Sequence, residues 1–162
     1  MLIKIIKILP MILATSVLFT NFLIPVKSSL AEPPKDAKLI AEHLDFFGFQ
    51  SKITEDYLLA ESSKYISIYM HQMDIGLNLN IAFTVNQNAI KNRGKLTELL
   101  NNINAKAIVI KLYVDENSDL VIEAVYTGDY NKKEFGSFIQ TYLADYELVY
   151  ENWEELNQYL HD

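Results

Sequence analysis

Residues 77–85, LNLNIAFTV, constrain the fold of this chain more than any other stretch. Leu77, Leu79, Ile81, Phe83 and Val85 alternate with Asn78, Asn80, Ala82 and Thr84. A period of two sends the first set to one side of a pleated strand and the second set to the other. That is the pattern of a half-buried antiparallel strand, apolar on one face and tolerant of water on the other. Residues 65–71 alternate in the same way, with Ile66, Ile68 and Met70 opposite Tyr65, Ser67, Tyr69 and His71. Tyr57–Ala60 reads as a shorter strand before them, and ESSK and MDIG supply the turns.

Helices bracket these strands. Over 36–47, Ala37, Ile40, Ala41, Leu44 and Phe47 recur at helical spacing behind Asp36 as N-cap. Gly48 suits the left-handed position after the helix, with Phe49 folding back on its last turn. A second helix fits 90–103 through Leu96, Leu99, Leu100 and Ile103, its first half weakened by Gly94. Two strands follow, 106–114 and 120–127. Ile108, Ile110, Leu112 and Val114 line one face, and Val109 and Tyr113 leave the other mostly apolar, which predicts a central, covered pair. A long helix from about Lys132 to Leu160 closes the chain, its seam running from Phe135 through Tyr142, Tyr146 and Trp153 to Leu160. The expected class is α+β, an antiparallel sheet of about five strands with helices packed mainly on one face. The order is α-β-β-β-α-β-β-α.

The N-terminus reads differently. Lys4 and Lys7 precede an apolar run from Ile8 to Val26, and Ser29-Leu30-Ala31 offers small residues at −3 and −1 of a cut before Glu32. Residues 1–31 are therefore expected to be a secretory signal peptide. The rival reading is an uncleaved anchor, because the run approaches the roughly 20 residues that span a bilayer. In that case the membrane is met only through this segment. Residues 32–162 form one domain, long enough to bury about two-thirds of its unfolded surface. Export predicts a periplasmic or secreted location. With no cysteine, stability has to come from the core rather than from disulfides.

Charge narrows the partners. Lys4, Lys7 and Lys27 take three of the fourteen basic residues, leaving eleven against twenty-one acidic ones over 32–162, a net charge of −10. Such a surface repels phosphate backbones, which argues against nucleic-acid binding.

The stretch LTELLNNINAKAIVIKLYVDENSDLVIEAVYTGDYNKKEFGSFIQTYLADYELV runs from an Asn-rich helix end through a strand, an acidic turn, a strand and a helix with Phe/Leu spacing. Together with KLIAEHLDFFGFQ, it resembles the YbjN family, whose fold is like that of type III secretion chaperones. The resemblance covers roughly residues 36–155. It implies a small, non-catalytic protein-binding fold, dimeric in many chaperone relatives, with a regulatory or chaperone-like role. It brings no catalytic residues, and many relatives lack an export signal.

Single motifs add little chemistry. Asp115-x-Asn117-x-Asp119 copies the start of a calcium loop, but Leu120 stands where the loop needs glycine and Tyr126 where it needs glutamate. A hairpin turn explains these residues better. His71 and Met73 would share a strand face, two soft ligands without a third, so a strand end with a surface histidine is expected. No nucleophile elbow, P-loop, zinc spacing or glycine-rich nucleotide turn occurs, so no enzyme, cofactor or metal is expected. Among the ten tyrosines, Tyr150 and Tyr159 fall off the helix seam and are expected to be exposed. With Trp153 they form the candidate protein-binding set. The leading expectation is an exported, non-enzymatic binding protein whose partner is another protein or a second copy. The alternative is a periplasmic carrier of a small molecule or metal ion, using a cleft between the sheet and the C-terminal helix.

Overall fold

The computed structural model describes residues 32–161, so the expected presequence lies outside the described residues. The alternating stretch becomes β4 (Gly76–Thr84), which pairs on both sides. β3 (Ile68–Met73) lies on one flank and β6 (Asp119–Thr127) on the other, both antiparallel. The full sheet has six strands in the order β1-β2-β3-β4-β6-β5, with β1 at Gln50–Ile53, β2 at Leu58–Glu61 and β5 at Ile110–Val114. β4 starts at Gly76, where φ is +145° and a Cβ would collide with the Tyr126 carbonyl. Only glycine fits where β6 approaches so closely.

Two expectations about the sheet change. A sixth strand, β1, lies at the edge beyond β2. Its Gln50, Lys52 and Ile53 are exposed, so it lacks the apolar alternation that marks a half-covered strand. β5 is the opposite edge rather than a central strand, and Tyr113 is 40% exposed. The apolar look of its second face does not reflect a covering layer.

All the helices of the described residues pack on one face. α1 (Ala37–Phe46) buries Ala37, Ile40 and Leu44. Its exit is a Schellman turn, with Phe49 N–H donating to the Leu44 carbonyl at 3.1 Å and Gly48 N–H to Asp45 at 3.0 Å. Gly48 has φ +86°, and Phe49 is buried over the turn. The expected helix at 90–103 is two, α2 (Gln87–Lys91) and α3 (Arg93–Asn104), meeting at Asn92 just before Gly94.

The long C-terminal helix breaks as well. α4 (Lys132–Glu151) is capped by Asn131, whose Oδ1 accepts from Lys133 and Glu134 N–H. It stops at Asn152, whose side-chain amide donates back to the Leu148 carbonyl at 2.7 Å. After the short α5 (Trp153–Asn157), the chain turns onto the end of β4. Asn86 N–H donates to the Tyr159 carbonyl at 2.9 Å and His161 N–H to the Thr84 carbonyl at 3.0 Å. This reversal buries Tyr159, 6% exposed, where a continuous helix would have left it in solvent.

Ile40, Leu58, Met70, Leu79, Ile122, Phe135 and Val149 belong to a single apolar cluster between sheet and helices. Fully burying each such side chain contributes roughly 1.5–3 kcal/mol. One polar group crosses this layer. Asp145 on α4 is 3% exposed, and its Oδ2 accepts from three successive backbone N–H groups, Ile108, Val109 and Ile110, at 2.8, 2.6 and 3.1 Å. Asn104 at the end of α3 receives the Leu112 N–H and donates to the Leu112 carbonyl, both at 2.8 Å. Two side chains thus occupy the outer edge of β5 where another strand would pair.

Asp145→Ala should lower unfolding free energy by roughly 3 kcal/mol, because three partly buried N–H groups lose a charged acceptor together. Denaturant midpoints would show it, and a loss below about 0.5 kcal/mol would mean that water replaces the carboxylate without cost. Tyr142 gives the opposite case, since its hydroxyl is buried with no hydrogen-bond partner among the described residues. Tyr142→Phe should leave stability unchanged or raise it by about 0.5–1 kcal/mol.

Candidate functional site

The period of two that buries Leu79 and Ile81 sends Asn78 and Asn80 to the other side of β4. Along each neighbouring strand the same alternation selects Tyr69 and His71 on β3, Val121, Glu123 and Val125 on β6, and Lys111 and Tyr113 on β5. Tyr69, Ala82 and Val121 are buried apolar groups outside the helix-side cluster. No helix of the described residues has its buried side chains on this face. Tyr57 stands edge-on to Tyr69, with ring centres 5.2 Å apart, and to His71 at 6.2 Å.

Cross-strand register places Tyr69 opposite Asn80, Asn80 opposite Glu123, and Glu123 opposite Lys111. A directional chain of hydrogen bonds links two members of this row, Glu123 and Asn80, through Asn78 and takes in Tyr113. Tyr113 Oη donates to Glu123 Oε2 at 3.2 Å, Asn78 Nδ2 donates to Glu123 Oε1, and Asn80 Nδ2 donates to Asn78 Oδ1 at 2.8 Å. An ionised carboxylate only accepts, so Glu123 dictates the orientation of both amides. The chain ends on an unmet acceptor, Asn80 Oδ1, on a residue only 6% exposed. His71, equally buried, leaves Nε2 without a partner while Nδ1 lies 3.4 Å from the Asp56 carbonyl. A buried polar atom left unpaired costs roughly 1–3 kcal/mol.

Electrostatics follow this arrangement. Burial, aided by the Glu123 charge, the hydrogen bond to it and Asp115, pushes the Tyr113 hydroxyl up to about 12. Burial with Tyr57 and Glu61 also holds Tyr69 above the ordinary phenol range.

A concave surface lies on the helix side. Leu39, Glu42, His43 and Phe46 of α1 face Tyr130 and Lys132 across an open groove of about 650 Å³. His43 Nδ1 lies 3.1 Å from Tyr130 Oη, and burial with the Lys132 charge lowers the imidazole below its usual value.

The residues expected to bind a partner do not come together. Tyr150 is 54% exposed on α4, Trp153 is half-buried against Phe83, and Tyr159 is buried. His71 and Met73 do share a face, but His71 is buried beneath Tyr57 rather than a surface group at a strand end. Asp115–Asp119 forms the β5–β6 hairpin turn. Asp115 Oδ1 accepts from Asn117 and Asp119 N–H, and Ser118 takes the left-handed position at φ 66°. The space expected for a carrier cleft is filled by Phe135, Ile139, Tyr142 and Val149, all buried against the sheet. The Asn78–Glu123 network escaped the sequence reading. Its one local signal was asparagine, a poor strand former, twice on a strand patterned to be central.

No protein-family model and no curated protein matches the sequence. Among solved structures, that of YbjN, a candidate transcription regulator from E. coli, matches with a TM-score of 0.58 and 17% identity. The match covers 77% of this chain and 95% of that one. The chain therefore has the YbjN-like α+β fold, as the sequence resemblance implied.

Tyr113 yields a test of the network. Its folded-state pKa lies above the roughly 10 of an unfolded tyrosine. Its stabilising contribution is thus fully present below pH 10 and lost as pH rises through about 12. In spectrophotometric titration, Glu123→Gln should move this group toward 10, with burial retaining part of the shift, and Tyr113→Phe should remove it. Identical profiles for all three proteins would rule out the contact with Glu123.

Proposed function

We propose that this chain is an exported, non-enzymatic protein-binding module that presents the open face of its sheet to a protein partner, in a regulatory or chaperone-like role. The observation that carries this reading is the face itself. It combines exposed or half-buried aromatic and aliphatic groups with buried polar atoms lacking partners, the composition of a surface completed by another molecule. The YbjN-like fold supports the reading as a scaffold, and fold alone does not assign a task. Export rests on residues 1–31, with their basic start, apolar run and small residues before Glu32. The acidic balance of the remaining chain argues against nucleic acid as the partner.

The choice of face is directly testable. The full chain serves as bait in the exported fraction, compared with Val125→Arg on the open face and Tyr150→Ala on α4. A partner kept by wild type and Tyr150→Ala but reduced at least about tenfold by Val125→Arg supports the reading. The reverse pattern moves the contact to the C-terminal helix. Light scattering on the same proteins shows whether the partner is a second copy.

A further inference from the structure

Residues 32–36 join the presequence to α1, and one residue of the sheet clamps them. β2 pairs with β3 only as far as Met70, so Gln72 lies two residues past that pairing. There its backbone N–H donates to the Glu32 carbonyl at 2.8 Å, and its Oε1 accepts from the Lys35 N–H at 3.0 Å. The same amide is fixed from its other end, since Nε2 donates to the Met73 and Gly76 carbonyls at 2.9 and 3.0 Å. With both donors engaged, it has only an acceptor to offer Lys35. Pro34 is buried, and its carbonyl receives the Ala37 N–H at 3.0 Å. Pro33 and Pro34 fix φ near −65° and favour extended backbone before each ring. Residues 32–35 therefore lift off as one stiff unit rather than residue by residue.

The bond before Glu32 is the one that Ser29-Leu30-Ala31 marks for cleavage. Hydrolysis there adds one water across the amide, leaving a carboxylate on Ala31 and an ammonium on Glu32. A peptidase has to hold the backbone on both sides of the bond, so susceptibility follows the burial and hydrogen bonding of that backbone. Glu32 is the first residue beyond the bond, and its carbonyl is already held by Gln72. The approach is short as well. Glu32 stands six residues after Val26, the end of the apolar run, which is about 20 Å at full extension. We propose that the Ala31–Glu32 bond is accessible to a signal peptidase only while residues 32–35 are undocked. Folding of the domain and removal of its presequence then compete for one segment. A chain that folds first keeps its apolar run and stays tethered to the membrane. This deepens the export part of the proposed function and rests on it.

The two readings of residues 1–31, signal peptide and anchor, become two fates of one chain. Cut before the sheet assembles, the chain is released. Once β3 and β4 have joined, Gln72 is set in place opposite Leu77 and the clamp is available. Cleavage of a folded chain tracks the fraction in which the segment is open, provided that opening and closing are fast. Two hydrogen bonds and a buried proline keep that fraction at about one in ten or less.

The test is cell-free synthesis of the full chain into detergent micelles, with a purified signal peptidase either present throughout or added after folding. Cleavage is expected during synthesis and at least about tenfold more slowly once the domain has folded. A flexible spacer of about ten Gly and Ser residues inserted between Ala31 and Glu32 keeps the −3 and −1 residues and moves the bond clear of the clamp. It should restore cleavage of the folded chain to the rate seen during synthesis. Gln72→Ala removes the acceptor for Lys35 and should speed cleavage of the folded chain about two- to fivefold. If that variant fails to fold, the spacer chain still decides the matter. Equal rates before and after folding overturn the competition and leave export standing, as does a spacer chain cut only during synthesis and as slow as wild type once folded. A chain that remains whole even during synthesis removes the signal-peptide reading, and the proposal with it.

Discussion

The Asp145 carboxylate decides where the sheet ends. Without it, Ile108, Val109 and Ile110 would present three successive N–H groups at the start of an edge strand, an invitation to further pairing. Asn104 closes the next outward position by reproducing both hydrogen bonds of a missing strand at Leu112. Because these caps come from α3 and α4, closing the edge also pins both helices to the same side of the sheet. The helix layer and the limit of the sheet are one arrangement. The open face is its consequence, since no helix of the described residues contributes to it.

β4 then carries opposite physics on its two sides. Toward the helices, Leu79 and Ile81 are removed from water and need only fit. On the other side, Asn78 and Asn80 need partners, and the nearest strong acceptor is Glu123 on the adjacent strand. The carboxylate polarises the row in one direction and leaves an acceptor at the far end. Tyr113 closes the near end, half in solvent at the sheet's edge, and its pKa is raised by partial burial together with the Glu123 charge and hydrogen bond.

What was legible in the sequence follows the range of the interactions. The α1 exit, the β5–β6 turn and the alternation of β4 depend on residues within a turn or two, and each was readable from its own text. The break at Asn152 was not, because it is held by the docking of Tyr159 and Leu160 against Asn86, more than seventy positions away. The edge position of β5 depends on Asp145, thirty-five to thirty-seven positions away, so an apolar strand looked central. The candidate site divides along the same line. The asparagines of β4 stand in plain view, but the acceptor that orients Asn78, and through it Asn80, is Glu123, forty-five residues from Asn78, and nothing local marks it.

A likeness of fold at 17% identity shows that this architecture needs a pattern more than particular residues. On the helix side that pattern is the apolar alternation, and the buried side chains of the sheet there need only pack. On the open side the fold asks for little. Valine or threonine at 78, 80 and 123 would favour the strands more than asparagine and glutamate do. It would also avoid burying an unpaired acceptor. Residues that the fold does not need, held in a fixed direction at a cost to stability, are where binding specificity is built. The open face therefore differs from the rest of the surface in kind. Its polarity is ordered, and the order runs toward an acceptor still lacking a donor.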